Sequence, residues 1–197
     1  MSARLRMALL ALLLAAAGAA GQQHEPANGV LLVARPELDD PNFGRSVVLV
    51  TQRGDGQTLG VILNKPTPAR HEGRPLWLGG PVMMRSVVAL FAADAPPPAA
   101  AFHVLKNVYL SMHPQNLAAL LDAREARYYV GYVGWRPGEL RREIDRGLWS
   151  VLDADREVIF RKDTEGLWEE LLQQSRRIRA QTPFPPPAAH SPSTSPI

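Results

Sequence analysis

Ser46-Val47-Val48-Leu49-Val50-Thr51-Gln52-Arg53-Gly54-Asp55-Gly56-Gln57-Thr58-Leu59-Gly60-Val61-Ile62-Leu63 is the stretch on which the fold turns. Ser46–Thr51 and Leu59–Leu63 are short apolar runs rich in β-branched residues, and Arg53–Gln57 between them has the glycines of a hairpin turn. Upstream, Gly29–Ala34 is a third run of the same kind, set off by the loop chemistry of Pro36-Glu37-Leu38-Asp39-Asp40-Pro41-Asn42-Phe43-Gly44-Arg45. Downstream, Val87–Phe91, Val104–Leu110, Tyr128–Val133, Trp149–Leu152 and Val158–Phe160 complete an expected set of eight strands, with Pro96-Pro97-Pro98 as a stiff connection.

Between these runs the apolar period lengthens from two to 3.6, the mark of an α/β or α+β chain. One helix is expected from Pro114 to Ala123, capped by Ser111, with Leu117, Leu120 and Leu121 on one face. A second has Pro137 in its first turn, Leu140, Ile144 and Leu148 as a stripe, and Gly147 near its end. A third opens at Thr164, buries Leu167, Trp168, Leu171 and Leu172, and runs to about Arg179, with Pro183 as the stop.

The chain has 197 residues and no cysteine, which excludes a disulfide framework, a thiol nucleophile and a Cys-ligated metal. Arg4 and Arg6 precede an uncharged apolar segment from Met7 to Ala20, with Ala17-Gly18-Ala19 as an A-x-A cleavage pattern. As a helix that segment would rise about 21 Å, short of the roughly 30 Å of a hydrocarbon core, so it reads as an export signal and not as a transmembrane anchor. The alternatives are a helix packed on the domain and a start codon assigned too early. The expected layout is residues 1–19 signal peptide, 20–28 linker, 29–180 one domain and 181–197 a disordered Pro/Ser-rich tail.

The formal charge of +3 invites a nucleic-acid reading, but its location argues otherwise. Five of the 22 basic side chains, Arg4, Arg6, Arg176, Arg177 and Arg179, lie near the ends; from Gly21 to Ser175, 17 basic residues face 19 acidic ones. A slightly acidic body offers no general footprint for a phosphate backbone.

No G-x-S-x-G, H-E-x-x-H, G-x-x-x-x-G-K or G-x-G-x-x-G occurs in the sequence. His71, His103 and His113 do not share helix-face spacing, so no metal or cofactor is expected. Asp39 and Asp40 could pair for acid/base chemistry, although acids before Pro41-Asn42 also serve as Asx-turn residues. Gly79-Gly80-Pro81 could bring backbone N–H groups to an anion or simply make a tight connection, and Asn64-Lys65-Pro66 puts an amide and an ammonium at a strand tip. In Tyr128-Tyr129-Val130-Gly131-Tyr132-Val133-Gly134-Trp135, strand alternation predicts Tyr128, Val130 and Tyr132 on one face and Tyr129, Gly131 and Val133 on the other. Such aromatics either stack on a ligand or fill a core.

Taken together, the segments resemble the YqgE/AlgH family of bacterial proteins. The resemblance rests on Gly29–Ala34 with Pro36, Asp40-Pro41-Asn42-Phe43 with Arg45–Leu49, and Leu59-Gly60-Val61-Ile62-Leu63-Asn64-Lys65-Pro66. It continues through Gly79-Gly80-Pro81-Val82 and Gly131-Tyr132-Val133-Gly134-Trp135, with Gly138, Glu139-Leu140, Glu143-Ile144 and Trp149. It implies a single α/β (α+β-like) domain with a mixed β-sheet and flanking helices, an unsettled activity, and a loosely proposed role in transcriptional regulation. Where members carry a helix-length insert, only Thr67–Leu78 bridges the two motifs here, so that helix is expected to be lost. Histidines common in the family correspond to Arg53 and to a position near Phe91 or Ala92.

The leading expectation is an exported, non-enzymatic binding or accessory protein with a small ligand or protein as partner. Its site is expected at Asp40, Asn42, Arg45, Asn64, Lys65, Gly79 and Gly80, with Tyr132 and Trp135 nearby: glycine N–H donors, charge from Arg45 or Lys65, and Trp135 as a stacking wall. Direct nucleic-acid binding is not expected of an exported copy. The alternatives are a cytosolic regulator and a hydrolase using Asp39 or Asp40.

Overall fold

The structure is a computed structural model that describes residues 27–52, 56–120, 123 and 125–181. The expected signal peptide, most of the linker, the tip of the first hairpin and nearly all of the tail lie outside the described residues.

The three runs quoted above are strands β1 (Val30–Ala34), β2 (Val47–Gln52) and β3 (Thr58–Ile62), each almost wholly buried. They pair antiparallel in sequence order, with Leu31 opposite Leu49 and Val50 opposite Gly60. Next come β4 (Pro66–His71) and β5 (Arg74–Leu78), a hairpin, followed by β6 (Val82–Ala92), β7 (Phe102–Leu105) and β8 (Val108–Ser111). Helix α1 (Pro114–Ala119) leads into β9 (Ala126–Trp135), α2 (Glu139–Asp145) into β10 (Trp149–Asp153), and α3 (Arg156–Phe160) and α4 (Leu167–Gln181) follow. The sheet order is β10-β1-β2-β3-β9-β6-β8-β7, with the β4–β5 hairpin attached through β5. Only the β5–β9 pair is parallel among the described strands, so the sheet is mixed and the domain is the α/β (α+β-like) one expected.

Strand β9 organises the sheet. Its first half pairs with both β5 and β6 and its second half with β3. At its middle, Gly131 takes φ 69°, a left-handed conformation that glycine tolerates and other residues resist. This bulge changes the phase of the strand. Tyr129 and Tyr132 therefore both face the cluster of Leu31, Leu49, Val61 and the α4 leucines, while Val133 and Trp135 face the opposite cluster of Leu32, Val48 and Ile62, covered by Leu140 and Ile144 of α2. The expected sharing of a face by Tyr128, Val130 and Tyr132 fails here, because strict alternation does not survive a residue at positive φ.

Helix α4 covers the first cluster with Leu167, Trp168, Leu171 and Leu172, as the pattern predicts, and the Trp168 indole N–H donates to the Ala34 carbonyl at 2.7 Å. Burying three leucines and a tryptophan contributes on the order of 1.5–3 kcal/mol per side chain, far more than helix propensity could.

Four local expectations need correction. Val158–Phe160 lies in α3 and not in a strand, because the Asp155 carboxylate caps it, accepting from the N–H groups of Glu157 (2.7 Å) and Val158 (3.2 Å). Val104–Leu110 is two strands, reversed at Lys106-Asn107, where Asn107 adopts φ 61°. The first helix is capped by His113, whose Nδ1 accepts from Gln115 N–H at 3.3 Å; Ser111 instead accepts from His113 N–H and donates to the Ala100 carbonyl. The segment from Thr67 to Leu78, expected only to lack a helix, forms the β4–β5 hairpin.

Candidate functional site

The loop before β2, the end of β3 and the start of the Gly79-Gly80 connection converge. Asp40 makes an Asx turn, its Oδ1 accepting from the N–H groups of Asn42 (2.7 Å) and Phe43 (3.1 Å). The Asn42 carbonyl accepts from Lys65 Nζ at 2.5 Å. Asn64 locks the loop to the sheet: its Oδ1 accepts from Val47 N–H and its Nδ2 donates to the Arg45 carbonyl, each at 2.9 Å. Partial burial lowers the Lys65 pKa from its ordinary value, and the Asp40 carboxylate acts in the opposite direction.

Arg45 sits at φ 55° and projects its guanidinium over the Trp168 ring, 4.6 Å from the centroid, while pairing with Glu169. At 69% side-chain exposure the ion pair itself adds little. It orients the arginine on the surface of α4.

Gly79 and Gly80 belong to the same region by backbone contacts. Ile62 N–H donates to the Gly79 carbonyl and Leu78 N–H to the Lys65 carbonyl, both at 2.9 Å. The Gly79 N–H is itself committed to Val130 O at 2.9 Å, so it serves the sheet and not a ligand. A Cβ on Gly79 would lie 2.1 Å from Gly131 O, and one on Gly80 would lie 2.4 Å from Tyr132 O. These glycines permit the close approach of connection and strand, and they bring Tyr132 into the neighbourhood.

Trp135 is not part of this gathering. It stands opposite Thr58, at the other end of β3 from Asn64, and is 8% exposed. Its indole N–H donates to Glu143 Oε2 at 3.0 Å, and the same oxygen accepts from Trp149 at 2.8 Å. A stacking wall would need an open face, and this one is core.

Arg127, which the sequence pattern gave no reason to single out, lies beneath the strand end. It is 8% exposed and donates from Nη2 to Leu63 O and from Nη1 to Ile159 O, both at 2.9 Å. Its guanidinium lies 3.9 Å from the Trp77 ring centroid and 5.6 Å from that of Tyr129. Among the described residues no carboxylate pairs with it. The Tyr129 hydroxyl is fully buried with no hydrogen-bond partner among the described residues. Burial pushes the Tyr129 phenol above its ordinary value of 10.0, with the Arg127 charge pulling the other way.

The histidines do not converge. His71 packs on Tyr128, His103 stacks on Tyr109, and His113 caps α1. No group of three or more metal-ligating side chains forms among the described residues.

The mixed sheet, shared through one bulged strand and covered by α4, is matched by known proteins, and comparison with them gives the class. Residues 31–177 match the DUF179 family, described as AlgH-like, and the chain belongs to that family. It is 37% identical over 169 residues to a UPF0301 protein of Thermobifida fusca, covering 74% of this chain and 85% of the relative. A UPF0301 protein of Streptomyces avermitilis is 35% identical over 168 residues, covering 75% and 86%. The solution structure of the AlgH protein from Pseudomonas aeruginosa superposes with a TM-score of 0.61 at 22% identity, over 76% of this chain and 87% of that one. A crystal structure from Corynebacterium diphtheriae gives 0.62 at 22% identity, over 82% and 90%. These two likenesses concern the fold.

Proposed function

We propose that the chain acts by binding, as an exported accessory protein, and not by turning over a substrate. The observation that carries this reading is how the strand-end polar groups are used. Asp40 and Lys65, the titratable groups at that strand end, direct hydrogen bonds to the backbone of the loop that precedes β2, and the Asn64 amide bonds to the Arg45 carbonyl of that loop and to Val47 N–H at the start of β2. A general acid or base needs a lone pair or proton within reach of a substrate. Groups spent on the backbone instead hold a shape. The exposed feature of that shape is Arg45, oriented by Trp168 and Glu169, which supplies the contact for a small ligand or a protein partner. The export part of the reading is supported by the basic and apolar leader with its A-x-A pattern.

N-terminal sequencing of the protein recovered from fractionated cells tests the address: a periplasmic or secreted chain starting at or near Ala20 is expected, and an uncleaved cytosolic chain would overturn it. Turnover of an ester, phosphate or glycoside substrate that disappears in Asp40→Asn would overturn the binding reading in favour of the hydrolase.

A further inference from the structure

Away from the strand-end cluster, the C-terminal half of α4 and the ends of β1 and β10 enclose a recess of about 230 Å³. Arg35 enters it from the end of β1, and Arg176 and Arg179 enter from α4. Ser150 of β10 and Ser175 of α4 line its wall, the Ser175 hydroxyl donating to the Leu172 carbonyl at 2.8 Å, and Pro36 and Leu172 supply apolar surface. The charges around it do not cancel. Arg35 has Glu37 at 3.5 Å, whereas neither Arg176 nor Arg179 makes an ion pair among the described residues.

Arginines in the last turns of a helix have an ordinary explanation, because the carbonyl end of the helix favours cations. That explanation covers Arg176 and Arg179 but not Arg35, which comes from a different element and adds like charge to the same recess. Guanidinium groups that line one recess can share an anion placed between them, and their planar forks match the oxygens of a phosphate group better than a point charge does. The helix end opposes an anion with roughly half a charge, less than the recess carries. The volume falls just below the roughly 300 Å³ at which ordinary small-molecule sites begin, which selects a compact ligand.

We infer that this recess is a binding site for a small phosphate-bearing anion, held by Arg35, Arg176 and Arg179 with Ser150 on its wall, any organic part lying on Pro36 and Leu172. The site does not depend on the role proposed for the strand-end loops, and Arg45 takes no part in it.

Inorganic phosphate and phenyl phosphate are titrated into the full-length protein by calorimetry and thermal shift, at ionic strength matched with sodium chloride. Saturable one-to-one binding is expected, weakened at least tenfold in the double variant Arg35→Gln/Arg176→Gln and unchanged in Arg177→Gln, whose side chain does not line the recess. Tighter binding of phenyl phosphate identifies a phosphate ester as the ligand class; equal binding identifies free phosphate. The inference is overturned if the wild type shows no saturable binding, if the double variant binds as well as the wild type, or if Arg177→Gln weakens binding as much as the double variant does. The double variant Arg35→Lys/Arg176→Lys, which keeps both charges, separates loss of the fork geometry from loss of fold: native thermal stability with weakened binding is expected.

Discussion

Replacing Tyr129 by Phe removes one oxygen and nothing else. The ring is fully buried in the main core cluster, where Phe fills the same space, and it keeps its place 5.6 Å from the Arg127 guanidinium. The hydroxyl has no partner among the described residues, so in the native state it carries a desolvation cost of about 1–3 kcal/mol that the variant does not. Against this stands a slightly weaker cation–π contact, worth a few tenths of a kcal/mol at this distance. The expected result is about 1–2 kcal/mol of added stability, a rise in Tm of roughly 2–8 °C for a domain of this size. Urea unfolding should show a higher midpoint with an unchanged slope. A second signature lies at alkaline pH. The folded phenol ionises above 10.0 and the unfolded one near 10.0, so above that value the unfolded state releases its proton first and stability falls as pH rises through the folded pKa. Tyr129→Phe should lose that share of the alkaline decline. A variant destabilised by 1 kcal/mol or more, or an alkaline limb of unchanged steepness, would refute the reasoning.

Two further perturbations test how the site region is held. Asn64→Ala removes the bond to the Arg45 carbonyl and leaves Val47 N–H without its acceptor, while Lys65 still holds the Asn42 carbonyl; a loss of about 2 kcal/mol is expected by urea denaturation, with Asn64→Asp intermediate because it keeps the acceptor. Gly131→Ala forces a Cβ to within 2.3 Å of Gly80 O at φ 69°, and a loss of about 3 kcal/mol or more is expected in the same assay, whereas Ala at the exposed Gly134 should cost far less.

The central strands were legible because their runs are apolar and β-branched throughout, leaving no helical face to present to water. The α4 face was legible for a different reason, since Leu167, Trp168, Leu171 and Leu172 repeat with helical spacing. What escaped depended on single residues. Val158-Ile159-Phe160 has strand composition, and only the Asp155 cap with Glu157 after it signals a helix turn. The turn at Lys106-Asn107 has no glycine or proline, so a hairpin read as one strand. The phase change at Gly131 cannot be told from an ordinary strand glycine until the backbone is seen. Of the candidate site, the loop cluster was legible from turn chemistry, and the structure brings Asp40, Asn42, Arg45, Asn64, Lys65, Gly79 and Gly80 together. Trp135 was placed wrongly, because an aromatic beside glycines reads the same whether its partner is a ligand or Glu143. Arg127 and Arg35 carry no local signal; each matters through elements distant in sequence.

The pairing of the first strand with the last sets a schedule for synthesis. Val30 meets Asp153, its partner in β10, across 123 residues of chain. At roughly 5–20 residues per second, a ribosome takes about 6–25 s to make that span. β1 can form its pairing with β2 early in that interval, but its other edge then waits, apolar and unpaired, until β10 emerges. β3 likewise waits for β9. Until its C-terminal half is available, the folding chain therefore keeps adhesive edges unpaired, in whichever compartment it folds.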